Sequence, residues 1–576
     1  MPVEQFIRPT GRTTTGSLLS RAVARLLHLP PATRTVRVTR DLRVPMRDGV
    51  DLLADHYAPA DGGRPPTLLV RNLYGWDLPI GFLYGRLYAE RGYQVLVQRC
   101  RGTFGSGGTL DPWVHEAADG LDTVEWLNRQ PWYSGEFATI GASYLGYVQW
   151  ALLADPPPGH RGAVIQMGPH EYSQVAWPGG AFALDTMAGW ASMLSHPKRG
   201  PLRDNLRQLR EQRRLRTAYG QLPLAAACRR ALGRDLPHLD AWLAHPGPDD
   251  PYWAASDHSR ALGAGSAVPV LLQGNWYDAF LAQTLQQYTA LRASGAAPRL
   301  TVGPWTHTAI GRWWPTFMAD SLRRFDELFA GRRPSEAAEP SERSEAAEVA
   351  EPSELAEPVR LFVLGADRWR GFTAWPPPQA VEQRWYLHPH GGLALEPPTP
   401  GPPSRYRYDP ADPTPAVGGA WTGPGAGPRD NRRLEARPDV LTFTSTPLAA
   451  DLDAIGPVAV ELYVRSSLPH TDFFARLCDV HPDGRSVNIT DGLRRISTQG
   501  SAEVHRIRFE LAPTACRFRA GHRIRLQISS GAHPRFARNP GTGEPTGSAA
   551  RQAAAEQELH HRPDRPSVVV LSAVPS

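Results

Sequence analysis

The chain has 576 residues, 41% of them hydrophobic and 21% charged, which excludes global disorder and fits a soluble globular protein. It is too long for one core, and roughly one domain per 150 residues predicts two to four domains. No apolar run approaches the roughly 20 residues that a bilayer span needs, so no membrane association is expected.

The 63 Lys+Arg and 57 Asp+Glu leave a formal charge of +6, a small excess for this length. The richest basic run, "RDNLRQLREQRRLR" from Arg203 to Arg216, has Leu206, Leu209 and Leu215 at helical spacing and no interleaved aromatics. It reads as a solvated helix face, and no nucleic-acid partner is expected. Cys100, Cys228, Cys478 and Cys516 follow no disulfide or metal-ligand spacing, so they read as reduced, buried thiols and no metal is expected.

In the N-terminal segment, residues 1–34, "TTTGSLLSRAVARLLHLPP" has Arg21 and Arg25 among its apolar positions and no small-residue cleavage site. It predicts an amphipathic helix that packs Leu18, Leu19, Ala22 and Leu26 on the protein itself, and a cytoplasmic location follows. From Thr35 the text alternates as two strands joined at the "RDG" of Arg47 to Gly49. Then "PTLLVRN", "YQVLVQRC", "EFATIG" and "RGAVIQMG" are short apolar strands separated by amphipathic helices, the pattern of a parallel sheet covered on both faces. Residues 170–263 hold helical segments and aromatic-rich loops without a buried strand, after which "VPVLLQGNWYD" and "PRLTVGPWTH" resume the strand pattern. An inserted helical cap explains an interruption of that kind.

Residues 332–358 repeat Pro, Ser, Glu and Ala with little to bury, which predicts a linker or a solvated acidic loop. Beyond it, "VRLFVLG", "QRWYLH", "VLTFTS", "GPVAVELYVRSS" and later segments are short strands with turn signals, an antiparallel β-sandwich of the jelly-roll kind over residues 359–576. The fold class is therefore α/β, with a catalytic domain over residues 35–169 and 264–331, the cap, and the C-terminal sandwich.

The stretch "ATIGASYLGYVQW" places Ser143 in a strand-turn-helix setting close to the G-x-S-x-G nucleophile elbow, except that the second glycine falls at Gly146, where Leu145 would be expected to be Gly. A serine N-cap would explain Ser143 alone. A nucleophilic hydroxyl needs a base and that base needs an orienting carboxylate, which in α/β-hydrolases follow in the order Ser, acid, His at strand ends. Asp278 ends "VPVLLQGNWYD" and His307 ends "PRLTVGPWTH", in that order. The glycines of "RGTFGSGG" lack the Lys-Ser/Thr ending of a P-loop, so neither a nucleotide nor any other cofactor is assigned.

"GASYLG", "GNWYD" and "GPWTH", with "VPMRDGVDLLADHYAP", "RNLYG", "QRCRGTFGSGG" and "GHRIRLQISSGAHPRFARNPGTGE", resemble the CocE/NonD hydrolases, the cocaine esterase and X-Pro dipeptidyl-peptidase group, over about residues 35–330 and 359–575. That family uses G-x-S-Y-x-G, which accounts for the displaced glycine. The resemblance implies Ser143 as nucleophile, His307 as general base and acid, and Asp278 as orienting carboxylate. It implies an oxyanion hole from the Tyr144 backbone N–H and the Tyr74 hydroxyl. The chain departs from the family after Tyr74, where "GWD" follows instead of a polar or basic residue.

His170, Tyr172, Trp177, Phe182 and Trp190 stand in the cap next to the sixth strand, where they would line an acyl pocket or form the cap's own core. His170 is also a lesser candidate for the base. The expected function is hydrolysis of small-molecule acyl esters, or amides, through an acyl-enzyme. The alternatives are an Xaa-Pro dipeptidyl-peptidase or α-amino acid ester hydrolase, for which Glu171 and Asp185 would have to hold a free amine, and a carbohydrate-binding pseudo-hydrolase. A homodimer is left open.

Overall fold

The computed structural model describes residues 18–26, 29–75, 77–195, 201–263, 268–330, 357–498 and 503–575. Most of the Pro/Ser/Glu/Ala segment lies outside the described residues. Ten strands form the first sheet: β1 (Val36–Pro45), β2 (Asp51–Pro59), β3 (Thr67–Asn72), β4 (Gln94–Arg99), β5 (Phe137–Ala142), β6 (His160–Gln166), β7 (Val270–Tyr277), β8 (Arg299–Thr306), β9 (Val359–Val363) and β10 (Arg368–Phe372). Their spatial order is β1-β2-β4-β3-β5-β6-β7-β8-β9-β10. The hairpin β1–β2 joins antiparallel, and β3 to β9 run parallel.

Apolar runs without alternation mark these central strands because both faces are covered: all six residues of β3 and all eight of β7 are buried. Helices Glu116–Asn128, Tyr144–Leu153, Leu281–Ala293 and Ile310–Leu328 follow β4, β5, β7 and β8 and cover the sheet. In such a sheet the strands' carboxyl ends carry the site, and Ser143, Asp278 and His307 each follow the last residue of a strand, β5, β7 and β8.

Between β6 and β7 the chain is helical, with Tyr172–Ala176, Leu184–Leu194, Pro201–Ala218, Leu224–Leu232 and Pro237–Ala244. An isolated bridge between Glu171 and Asp257 closes the base of this excursion, so it leaves and rejoins the sheet at one place. The helix Pro201–Ala218 presents the solvated basic face expected of it, with Arg210, Arg213 and Arg214 exposed. Leu215 is buried and Leu206 and Leu209 are exposed, while Gln208 and Gln212 turn to a cavity over the sheet.

The C-terminal strands form a twelve-stranded, bent sheet with long members at Leu452–Ser466, His470–Val480 and His505–Phe518. One sequence expectation is corrected here. "VRLFVLG" does not begin the sandwich: β9 adds parallel to β8 and β10 folds back on β9, extending the first sheet. Buried Val359, Leu361 and Val363 thereby cover the apolar edge beside Leu300 and Val302, which short strands alone do not announce. The N-terminal helix Leu18–Leu26 differs too. It buries Ser20 and Ala24, with the Ser20 hydroxyl donating to Glu90 at 2.8 Å, while Ala22 and Leu26 face outward.

Candidate active site

Ser143 stands between β5 and the helix Tyr144–Leu153 at φ 61° and ψ −123°, a region that disfavours any residue with a Cβ and costs about 1–3 kcal/mol. Its side chain makes no capping bond to the helix, so the N-cap explanation does not describe what the hydroxyl does. The turn is sharp enough that neighbouring positions have no room. A Cβ on Gly141 would lie 2.4 Å from the Leu145 Cβ, and one on Gly146 would lie 2.7 Å from the Gly168 Cα. The displaced glycine is therefore required where the helix crosses the end of β6.

Asp278 is fully buried, and its two oxygens have separate tasks. One accepts the Phe280 N–H at 2.7 Å, fixing the turn after β7. The other lies 2.7 Å from His307 Nδ1. With Nδ1–H directed to the carboxylate, the imidazole keeps Nε2 as an acceptor, the tautomer a base needs. Phe280 meets the His307 ring edge to face, with centroids 5.1 Å apart. The edge contact limits how the ring can turn.

Tyr74 follows β3, and the Asn72 side chain accepts the N–H groups of Tyr74 and Gly75 at 2.9 and 2.7 Å, which holds the loop. The Tyr74 hydroxyl hydrogen-bonds Ser143; burial pushes this phenol up to about 12, although the Ser143 contact lowers it. It therefore stays protonated, a donor, at neutral pH. Tyr144 begins its helix, so its N–H is among the first four, which have no intrahelical acceptor.

The Tyr144 ring points away into a buried polar network. Its hydroxyl donates to Glu116 at 2.8 Å and accepts the Trp113 N–H at 2.9 Å. The other Glu116 oxygen accepts Arg71 at 2.9 Å. Burial opposes the charge on Arg71, but Glu116 overrides it and holds the guanidinium above its ordinary value. The sequence reading gave Glu116, Arg71 and Trp113 no role, although Arg71 opens "RNLYG", because their meeting depends on sheet order.

Ser143, Tyr74 and His307 share a cavity of about 290 Å³. Tyr172 and Trp190 line it and stack on each other at 5.2 Å, backed by Trp113 and Trp242. The other three cap residues lie elsewhere. His170 is buried beside Leu281–Ala293, its ring 3.2 Å from Gln287 and lowered by burial to about 4, so it is not placed as a base. The Trp177 ring donates to the Trp242 carbonyl and packs on Phe182, and both belong to the cap's own core.

Several lining residues were missed. Phe280 and Thr308 stand next to the triad motifs and could have been found by adjacency, whereas Gln208, Gln212 and Thr422 are remote in the chain. Thr422 comes from the sandwich and donates to Thr186 of the cap at 3.0 Å. Among the described residues the sole carboxylate lining the cavity is Asp185, whose two oxygens are held by Arg216 at 3.0 Å each. Glu171 does not line it; its carboxylate accepts the side chains of Ser173 and Gln174.

A serine, an imidazole oriented by a buried carboxylate and a phenol donor that line or border one cavity are the groups that acyl transfer requires. Residues 48–309 match the family model of X-Pro dipeptidyl-peptidase (S15 family), and residues 353–570 match the X-Pro dipeptidyl-peptidase C-terminal non-catalytic domain. The chain is 31% identical to cocaine esterase of Rhodococcus sp., covering 93% of this chain and 98% of that protein. Its fold is similar to an α-amino acid ester hydrolase (TM-score 0.78, 22% identity, 94% and 97% of the two chains). It is also similar to an aminopeptidase from a marine sediment Thaumarchaeota archaeon (TM-score 0.76, 20% identity, 93% and 97%).

Proposed function

This chain belongs to the CocE/NonD serine hydrolases, the family of cocaine esterase and the S15 X-Pro dipeptidyl-peptidases, and from that premise we propose that it is an esterase of small-molecule acyl esters. Family membership sets aside the carbohydrate-binding pseudo-hydrolase. In the proposed mechanism His307 Nε2 takes the Ser143 proton as Oγ attacks the ester carbonyl, and Asp278 stabilises the imidazolium that results. The Tyr144 N–H and the Tyr74 hydroxyl receive the developing oxyanion. Collapse expels the alcohol, protonated by His307, and water then releases the acid from Ser143 by the same base.

The choice of ester over aminopeptide rests on one observation, the occupied state of Asp185. A dipeptidyl-peptidase or an α-amino acid ester hydrolase must hold a free α-ammonium, and the carboxylate at hand already makes a bidentate pair with Arg216. The aromatic wall of Tyr172, Trp190 and Phe280 supports an apolar or aryl acyl group. Four free, buried cysteines fit action in the reducing cytoplasm. The test compares p-nitrophenyl acyl esters with Ala-Pro-p-nitroanilide. Esters are expected to lead by at least about 100-fold in kcat/KM, a difference near 2.7 kcal/mol in transition-state binding; dominant turnover of the anilide would contradict the assignment.

A further inference from the structure

We propose that Asp479, His481 and His522 form a binding site for one divalent transition-metal ion of the zinc class at the rim of the C-terminal sandwich. One oxygen or nitrogen from each residue can be chosen so that all lie within 4.8 Å of one another. His522 Nδ1 is 2.9 and 3.0 Å from the two Asp479 oxygens, and His481 Nε2 is 3.6 Å from Asp479 Oδ2. Ligands of a tetrahedral zinc ion bonded at 2.0–2.1 Å stand about 3.3 Å apart, so small side-chain movements suffice. Two imidazoles and one carboxylate suit zinc, nickel, copper or cobalt rather than calcium or magnesium, which take oxygen.

The backbone holds the three residues in place by itself. Asp479 pairs with Ile524 and Val480 with Arg523 across two antiparallel strands. The His481 N–H and carbonyl bond Arg485 and Gly484 within the turn, and those of His522 bond Arg519 and Leu448. Of the neighbouring arginines, Arg519 stands 3.7 Å from Asp367, and Arg485 pairs with Asp483 at 2.8 Å while its guanidinium also lies 3.4 Å from His481 Nδ1, a contact that opens when Nδ1 holds the ring proton and Nε2 takes the metal. Both histidines are partly exposed, at 27% and 13%, so an ion and a water can reach them. On binding, the metal replaces the proton shared between His522 Nδ1 and Asp479, and that proton passes to solvent. The bound ion ties the turn after Val480 to the loop before Arg523. Such a site is structural, away from the esterase cavity.

The test uses the full chain stripped with chelator and dialysed against zinc, with metal content, thermal midpoint and the visible spectrum of the cobalt form as readouts. We expect wild type to retain one more equivalent of zinc than His481→Ala, to gain about 2 °C or more with zinc, and to show cobalt d–d bands that the variant lacks. His481→Ala keeps the Asp479–His522 pair and the esterase site, so ester hydrolysis without added metal is unchanged. His522→Gln, which still offers a donor to Asp479, is expected to lose the same equivalent and stands in if the first variant fails to fold. Equal zinc content in wild type and a folded variant, or cobalt bands that persist in it, would overturn the site.

Discussion

Ser143 is the residue at which chemistry and backbone strain meet. Its positive φ lifts the hydroxyl clear of the helix it precedes and toward Tyr74, and nothing in the helix competes for it. Tyr74 is the side chain whose contribution separates most cleanly from folding. Tyr74→Phe removes one phenolic donor and keeps the ring, so kcat is expected to fall about 100- to 1,000-fold with KM within a few-fold of wild type. Steady-state kinetics on a p-nitrophenyl ester checks this; an unchanged kcat would remove Tyr74 from the oxyanion hole.

At the scale of elements, the crossing of the helix Tyr144–Leu153 over the end of β6 sets the position of Ser143. Gly146→Ala would press a methyl group against the Gly168 backbone, which cannot rotate away as a side chain would. Overpacking of this kind costs about 1–3 kcal/mol, visible as a lower urea midpoint with the slope unchanged. A neutral result would mean that the helix can slide. The placement of Ser143, Asp278 and His307 at strand ends was legible in the sequence because each follows an apolar strand beside a glycine or aromatic motif. Trp177 and Phe182 were not separable from Tyr172 and Trp190, because which cap aromatics face the cavity depends on helix packing rather than spacing. The pair β9–β10 was misread for a related reason. A five-residue strand such as Val359–Val363 carries an apolar pattern but no label for the sheet it joins.

Across the whole molecule, sandwich and catalytic sheet meet near the site. Thr422 reaches the cavity, and the Tyr277 hydroxyl at the end of β7 donates to the Asn488 carbonyl of the sandwich at 3.3 Å. Such contacts join residues hundreds of positions apart, which the sequence could not announce. Histidines buried without full compensation give the molecule a common response to acid. Burial lowers His56, His170, His258 and His533 from 6.5 to about 4, and His160 to about 3. The unfolded chain binds protons at these sites more readily than the native one. Their contribution to stability is thus fully present above about pH 6.5 and is lost as pH falls toward 4. Urea midpoints are expected to decline steadily below pH 6.5; a flat profile down to pH 5 would contradict this.

The central claim is that Ser143 is the nucleophile of an acyl-transfer site served by His307 and Asp278. Its most direct measurement is labelling of the folded protein with a fluorophosphonate, followed by peptide mass mapping. The account predicts a single adduct on the peptide that contains Ser143, absent in Ser143→Ala and strongly slowed in His307→Ala. An adduct on another residue, or no adduct on folded wild-type protein, would contradict it.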